Sequence, residues 1–441
     1  MSDFKIKASF EIKLTATRGE APLPAPSESP EEPPEGATPG AIRIQAEDLE
    51  EDRYHRLRLI KWWDQELLAK TTVVVAGAGA LGNEALKNLA LLGVGRLIVC
   101  DMDDIETSNL TRSVLFRQHD VGRSKASVAC ERSMDINPDV VAIPIEGDLR
   151  FSLGLGVLRR SALLLGCLDN IAARVYLSRH AFRLGKPLID AGLDTVNGDV
   201  YTFTPPEGPC YECRLKDADR KEFRRRQSCL KLSRGETSFK GKVPTAPTIA
   251  AIASGIQTQI AVRSIHGMPI PSGRRLGLYG MTDRFFDIQL GISESCPAHG
   301  WMECLKGREV IETPLSAETS TLDELLAAIR EHVGEAGELS LEDDREVIVG
   351  LACVPCDRRR DVIALAGDLA EDEALCEGCQ EPMAPDVRSR FDGSEGLGTR
   401  TLAELGLPPL HIVRGCDPDS DREVLIEFTG DLARFFGAGG E

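Results

Sequence analysis

The stretch from Val73 to Leu92 restricts what this chain can fold into more than any other. Val73-Val74-Val75-Ala76 is a short apolar run, Gly77-Ala78-Gly79-Ala80-Leu81-Gly82 follows it, and Asn83 to Leu92 carries helical spacing. That order predicts the strand, glycine turn and helix of a nucleotide-binding βαβ unit. Gly77, Gly79 and Gly82 allow the tight turn, close approach of backbone to phosphate, and packing of helix on strand. A second apolar run, Leu97 to Cys100, ends at Asp101. An acid about 20 residues after the turn is placed to bond a ribose hydroxyl, although it can also simply cap a strand end.

By itself this unit fits a dehydrogenase. The residues downstream argue against hydride chemistry: Asp103, Ser108-Asn109-Leu110-Thr111-Arg112, Gly122-Arg123-Ser124-Lys125-Ala126 and Leu168-Asp169-Asn170. Arg112 and Lys125 supply cations beside phosphates. Asp169 follows the apolar run Ala162–Leu165, and a carboxylate near a triphosphate is repulsive unless a cation bridges them, so Asp169 fits a magnesium ligand. Asp103 either assists the metal or holds its loop, and Asp169 or Asn170 can cap the helix that starts near Ile171. Arg and Lys neutralise the charge that develops as pyrophosphate leaves. The matching chemistry is attack of a carboxylate on the α-phosphate of ATP, giving an acyl-adenylate.

At Arg53-Tyr54-His55-Arg56, the glycine turn, Asp101 to Arg112, Gly122 to Ala126 and Leu168 to Asn170, the chain resembles the ubiquitin-activating superfamily, which includes the sulfur-carrier adenylating enzymes MoeB and ThiF. The resemblance covers roughly residues 50–305, and a weaker one reaches about 430. It implies that ATP and magnesium are bound by Gly77, Gly79, Gly82, Asp101, Asp103, Asn109, Arg112, Lys125 and Asp169. It also implies that Arg56 reaches across a homodimer to the γ-phosphate. Arg56 is expected on a helix from Arg53 to Leu67, where a solvated basic face backed by Trp62 and Trp63 is the alternative.

Thirteen cysteines, with no apolar signal segment in Met1–Lys7, argue for thiols, thiolate chemistry or metal rather than a disulfide framework. Cys100 and Cys167 adjoin apolar strands and are expected to be small buried residues. Cys210-Tyr211-Glu212-Cys213 follows a proline-rich turn suited to a zinc knuckle, and Cys296-Pro297-Ala298-His299 stands where the family usually shows Cys-Pro-x-Cys-Gly. His299 or Cys304 completes that set, which the resemblance makes structural. Cys353-Val354-Pro355-Cys356 and Cys376-Glu377-Gly378-Cys379 have the spacing of a second zinc site, with redox activity as the alternative. Cys229 is the single cysteine of the basic loop Arg224–Lys231, whose cations favour thiolate. This loop resembles the crossover of family members that pass an activated protein from adenylate to thioester; an exposed cysteine in a loop is the other reading.

The chain of 441 residues has room for two or three domains. Residues 1–45 start with an alternating pattern, Phe4–Leu14, and continue into a Pro-, Glu- and Ser-rich stretch that reads as a disordered linker. Residues 46–305 are expected to form the adenylation domain, with the crossover loop at 206–246. Residues 306–441 hold the second zinc site, a helix over Ser320–Val333 and short strands. Their Thr401–Leu407 segment resembles the ubiquitin-fold domain that recruits a conjugating enzyme. The fold class is therefore α/β: a Rossmann-like, mostly parallel sheet with a zinc knuckle, plus a small α+β ubiquitin-fold-like domain.

A net charge of −18 disfavours nucleic acid and anionic membranes as partners, and no apolar run is long enough to span a bilayer. The expected function is cytoplasmic: adenylation of a ubiquitin-like protein, thioester formation on Cys229 and transfer to a conjugating enzyme. Adenylation of a sulfur carrier without a thioester is the alternative. A non-catalytic binding partner and an NAD-dependent oxidoreductase are the readings from other classes.

Overall fold

The computed structural model describes residues 52–215, 244–296, 298–301, 304–333, 340–365, 369, 372–417 and 422–437. The Phe4–Leu14 pattern, the linker, and Cys229 with its basic loop lie outside the described residues. Eight strands form the first sheet: β1 (Thr72–Ala76), β2 (Arg96–Asp101), β3 (Val141–Glu146), β4 (Leu163–Gly166), β5 (Leu188–Asp194), β6 (Asn197–Phe203), β7 (Arg274–Tyr279) and β8 (Arg284–Gln289). Their order is β3-β2-β1-β4-β5-β6-β7-β8. Pairing is parallel from β3 to β5 and antiparallel from β5 to β8.

β1 is central because its apolar run does not tolerate water: Val73, Val74, Val75 and Ala76 are 0% exposed. Removing each valine side chain from water contributes about 1.5–3 kcal/mol. Helices Ala80–Leu92, Lys125–Ile136 and Pro247–Ile265 bury Leu86, Leu89, Ala129 and Ile260 on one face of the sheet. Helices Leu155–Arg160 and Ile171–Leu184 bury Val157, Leu158, Val175 and Leu177 on the other. Strand order reverses between β1 and β4, so their carboxyl ends open a crevice where a ligand can sit.

Local expectations met mixed outcomes. The single helix expected over Arg53–Leu67 is instead two short ones, His55–Arg58 and Gln65–Lys70, because Asp64 starts a new helix by accepting from the Leu67 amide at 2.9 Å. Cys100 and Cys167 are buried as expected. Burial pushes the Cys167 thiol up to about 12, which removes it as a nucleophile near neutral pH.

The second sheet contains β9 (Ile311–Thr313), β10 (Ser340–Cys353), β11 (Arg358–Arg360), β12 (Ala364–Leu365), β13 (Ala384–Phe391), β14 (Ile412–Asp417) and β15 (Arg422–Phe428). Its main path is β11-β10-β14-β15-β9, and β9 runs parallel to β15. Helix Leu322–Val333 buries Leu322, Leu325, Leu326, Ile329 and Val333 against it, the i, i+3, i+4, i+7 spacing of one helical face. Thr321 and Glu324 cap that helix reciprocally.

The two sheets are welded at Leu155–Arg160. The Gly156 amide donates to the Leu410 carbonyl at 2.7 Å, and a Cβ on Gly156 would sit 2.5 Å from that oxygen. Glu427, 0% exposed, accepts from Arg159 at 2.5 Å and also from Arg160. Among the described residues no helix is long and apolar enough to cross a membrane.

Candidate functional site

The glycine turn is shaped by collisions that its glycines avoid. Gly77 has φ +97°, and a Cβ there would lie 2.5 Å from the Cys167 carbonyl oxygen at the end of β4. A Cβ on Gly82 would come within 1.9 Å of the Gly77 oxygen. Gly79 differs: a Cβ there would meet nothing within 4 Å. Gly79 is also the N-cap of helix Ala80–Leu92, with no side chain capping it. No side chain caps the first-turn amides, an arrangement suited to phosphate oxygens.

Asn83, which the sequence reading passed over, locks this turn. Its side chain is 0% exposed; Nδ2 donates to the Ala78 and Gly79 carbonyls at 2.7 and 3.1 Å, and Oδ1 accepts from the Leu115 amide at 2.9 Å. The turn is therefore tied to the loop that follows Asn109 and Arg112. An asparagine inside an apolar helix face was the available signal.

Asp101 ends β2 and accepts from the Ala78 amide at 2.6 Å and the Asp103 amide at 2.9 Å. Burial raises its carboxyl above the usual range, against the opposing pull of Lys125 and those two amides. Asp103 accepts from Lys125 Nζ at 2.7 Å, with Lys125 mostly buried and Asp103 half exposed. Asp103 thus holds its loop through Lys125, one of the two roles expected for it. Asn109 is buried, and its Oδ1 accepts from the Glu106 amide at 2.9 Å. Arg112 donates to the Ser108 carbonyl at 3.0 Å.

The capping question at β4 is resolved. Asn170 Oδ1 accepts from the Ala173 amide at 2.8 Å, so Asn170 caps helix Ile171–Leu184 and leaves Asp169 exposed at the crevice. Arg174 and Asp190, a buried pair, and Gln257 stand behind this turn; none was singled out in the sequence. The glycine turn, Asp101, Asp103, Lys125 and Asp169 all belong to the carboxyl ends of β1, β2 and β4 or to the segments that follow them.

Arg56 makes no hydrogen bond or ion pair with any described residue and is exposed. Its neighbours fix its segment instead. Tyr54 Oη accepts from Asn137 Nδ2 at 2.7 Å, and Arg53 donates to the Ile136 carbonyl at 3.0 Å. Trp62 and Trp63 both pack on His266, with ring centroids 5.2 and 5.4 Å away.

Two sets of four side chains each bring their ligand atoms within 4.8 Å of one another: Cys210, Cys213, Cys296 and His299, and Cys353, Cys356, Cys376 and Cys379. In the first set the Cys210 sulfur lies 3.9 Å from Cys213 and 3.6 Å from Cys296, near the about 3.8 Å between thiolates on tetrahedral zinc. His299 Nε2 is buried without a hydrogen-bond partner, as fits a ligand atom. Cys304, the fallback, lies outside this cluster.

In the second set the Cys353 and Cys379 sulfurs are 3.5 Å apart, too far for a disulfide of about 2.05 Å. Asp357 and Gln380, each directly after a pair, take left-handed φ values of +49° and +59° that turn the chain back on its thiols. The Cys379 and Gly378 amides lower the Cys376 thiol to about 6. Both donor sets fit zinc.

A model of the ThiF family matches residues 52–298. The chain is 40% identical over 174 residues to a sulfur carrier protein adenylyltransferase of Thermus thermophilus, covering 37% of this chain and 64% of that protein, just under two thirds. It is 29% identical over 258 residues to the molybdopterin-synthase adenylyltransferase of Escherichia coli, covering 57% and 98%. It is 40% identical over 157 residues to ubiquitin-like modifier-activating enzyme 7 of Homo sapiens, covering 32% and 15%.

Proposed function

This chain belongs to the ThiF family, and from that premise we propose that it adenylates the C-terminal carboxylate of a ubiquitin-like protein. The observation that carries the reading is the crevice at β1 and β4, where the helix start at Gly79 is uncapped and Lys125 and exposed Asp169 stand on the flanking segments. The glycine-turn amides hold phosphate oxygens, Asp101 bonds the ribose and Asn109 donates to the nucleotide. Asp169 would hold the magnesium that accompanies ATP, while Asp103 keeps Lys125 in place; the ion would offset phosphate charge. A carboxylate oxygen attacks the α-phosphorus, the bond from that phosphorus to the bridging oxygen breaks, and pyrophosphate leaves with its charge met by Arg112, Lys125 and Arg56 of a second copy.

In the fuller form of this reading, the thiolate of Cys229 then attacks the adenylate carbonyl. A thioester forms and AMP leaves. Residues 46–305 act as the adenylating domain, and residues 306–441 act as a ubiquitin-fold domain that presents the thioester to a conjugating enzyme. Zinc at Cys210, Cys213, Cys296 and His299 staples the end of the first domain, and zinc at Cys353, Cys356, Cys376 and Cys379 supports the second. The working form is a cytoplasmic homodimer.

A second reading has its own support. The Escherichia coli relative, 98% of whose length is matched, is named as a molybdopterin-synthase adenylyltransferase, so sulfur-carrier activation that stops at the adenylate is the alternative. One assay separates them. ATP–pyrophosphate exchange should require Asp169, and Asp169→Ala should abolish it. Cys229→Ala should keep exchange and lose a reductant-labile adduct with the ubiquitin-like protein. Wild-type exchange with no adduct refutes the thioester reading, and exchange that survives Asp169→Ala refutes the assigned site.

A further inference from the structure

Behind the exposed Asp169 lies a charged assembly shielded from water. Arg174, 9% exposed, donates through Nη1 to Asp190 Oδ2 at 2.5 Å and through Nη2 to the Leu168 carbonyl, one residue before Asp169. Asp190 is 1% exposed on β5, opposite Gly166 in the β4–β5 ladder. Gly166 admits it: a Cβ there would sit 2.3 Å from Asp190 Oδ1. Gln257, 0% exposed, reaches the same strand ends from the opposite face of the sheet, donating to the Gly166 carbonyl at 3.0 Å and the Ile189 carbonyl at 2.8 Å.

A buried ion pair is a poor way to add stability. Its desolvation cost offsets most of its attraction, and apolar residues of similar volume are often as stable or more so. Arg174 does something an apolar side chain cannot, since it spends one arm of its guanidinium on a main-chain carbonyl of the turn that carries Asp169. The planar fork holds both partners at fixed angles, whereas a lysine ammonium is a single point charge on a flexible stem. The turn is held on its other side as well, because the Cys167 amide donates to the Ala76 carbonyl at 2.8 Å and the Cys167 carbonyl packs against Gly77. Asp169 is therefore set in register with the phosphate turn by Arg174 on one side and β1 on the other.

We propose that Arg174, oriented by Asp190, is a positioning residue for metal–nucleotide binding: it fixes the Leu168–Asn170 turn so that the Asp169 carboxylate meets the cation on the triphosphate. The proposal rests on the adenylation reading above, and it concerns binding rather than turnover. Supporting groups of this kind, when removed, lower metal affinity by about 10–100-fold.

The test uses the full-length chain, manganese as the cation and ATP as the nucleotide, with free manganese read by electron paramagnetic resonance. Arg174→Lys keeps the charge and loses the fork. Arg174→Met with Asp190→Leu removes both charges while filling the space, so the fold survives without the pair. Both variants should bind manganese–ATP about 10–100-fold more weakly, while ATP affinity in chelator stays within about twofold of wild type. Asp169→Ala should show the same pattern. Wild-type manganese affinity in either Arg174 variant, alongside a loss in Asp169→Ala, overturns the positioning role and leaves the adenylation reading standing. Wild-type affinity in Asp169→Ala, or no ATP binding by the wild-type chain, overturns the adenylation reading and this inference with it.

Discussion

Replacing Asn83 with alanine should damage this protein more than a single exposed-looking asparagine in a sequence would suggest. The side chain is 0% exposed, and its three hydrogen bonds join the glycine turn to the loop at Leu115. The Gly79 carbonyl keeps a second donor, the Asn83 amide at 2.9 Å, so its loss is small. The Ala78 carbonyl and the Leu115 amide lose the partners described for them. A buried group left unpaired costs about 1–3 kcal/mol, so the two together cost about 2–6 kcal/mol. Domains of ordinary stability have about 5–15 kcal/mol in total, so the variant should fold but unfold at clearly lower urea. Equilibrium urea unfolding followed by tryptophan fluorescence measures the difference. ATP affinity should fall as well, since the turn that carries the phosphate-facing amides has lost its anchor. A change below about 1 kcal/mol, with unchanged ATP binding, would refute the argument that Asn83 couples the turn to the loop.

Gly79→Ala and Gly82→Ala should part company. The first has room for a Cβ within the chain, so it should fold normally and lose ATP affinity, whereas the second meets the Gly77 oxygen at 1.9 Å and should lose stability; circular dichroism melts and ATP titration distinguish them. Elemental analysis should find two zinc ions per chain, falling to one in His299→Ala and staying at two in Cys304→Ser. Glu427→Ala removes the buried partner of Arg159 and Arg160, which keep only the half-exposed Glu312, and should cost about 1–3 kcal/mol in urea unfolding, with Glu427→Gln milder.

Much of the glycine turn and of the crevice beside it was legible because the sequence writes them locally. A strand, a glycine turn and a helix follow one another without a break, and Gly77, Gly82 and Asp101 have roles fixed by their neighbours in the chain. The second metal cluster was legible for the same reason, since thiol pairs at fixed spacing have few other uses, whereas the first drew on the family resemblance and left His299 or Cys304 open; both sets close in space, the first with His299. Even the choice between Asp169 and Asn170 as helix cap was posed correctly by the sequence, although it took the Asn170 bond to Ala173 to decide it.

What the tertiary structure alone decided concerns groups whose partners lie far along the chain. Asn83 finds Leu115, Arg174 finds Asp190 on the next strand, and Gln257 reaches β4 and β5 from a helix 91 and 68 residues on. A polar residue on an apolar face can hint at burial, as at Asn83, but no local pattern names its partner, because a buried polar side chain is specified by whatever carbonyl or carboxylate the packed sheet brings to it. The weld between the sheets has the same origin: Gly156 and Glu427 read as an ordinary helix glycine and strand acid, and only their meeting shows why one must lack a Cβ and the other must carry a charge. Short-range geometry is written in the order of residues, whereas long-range pairing is chosen by the way two faces of one sheet are covered.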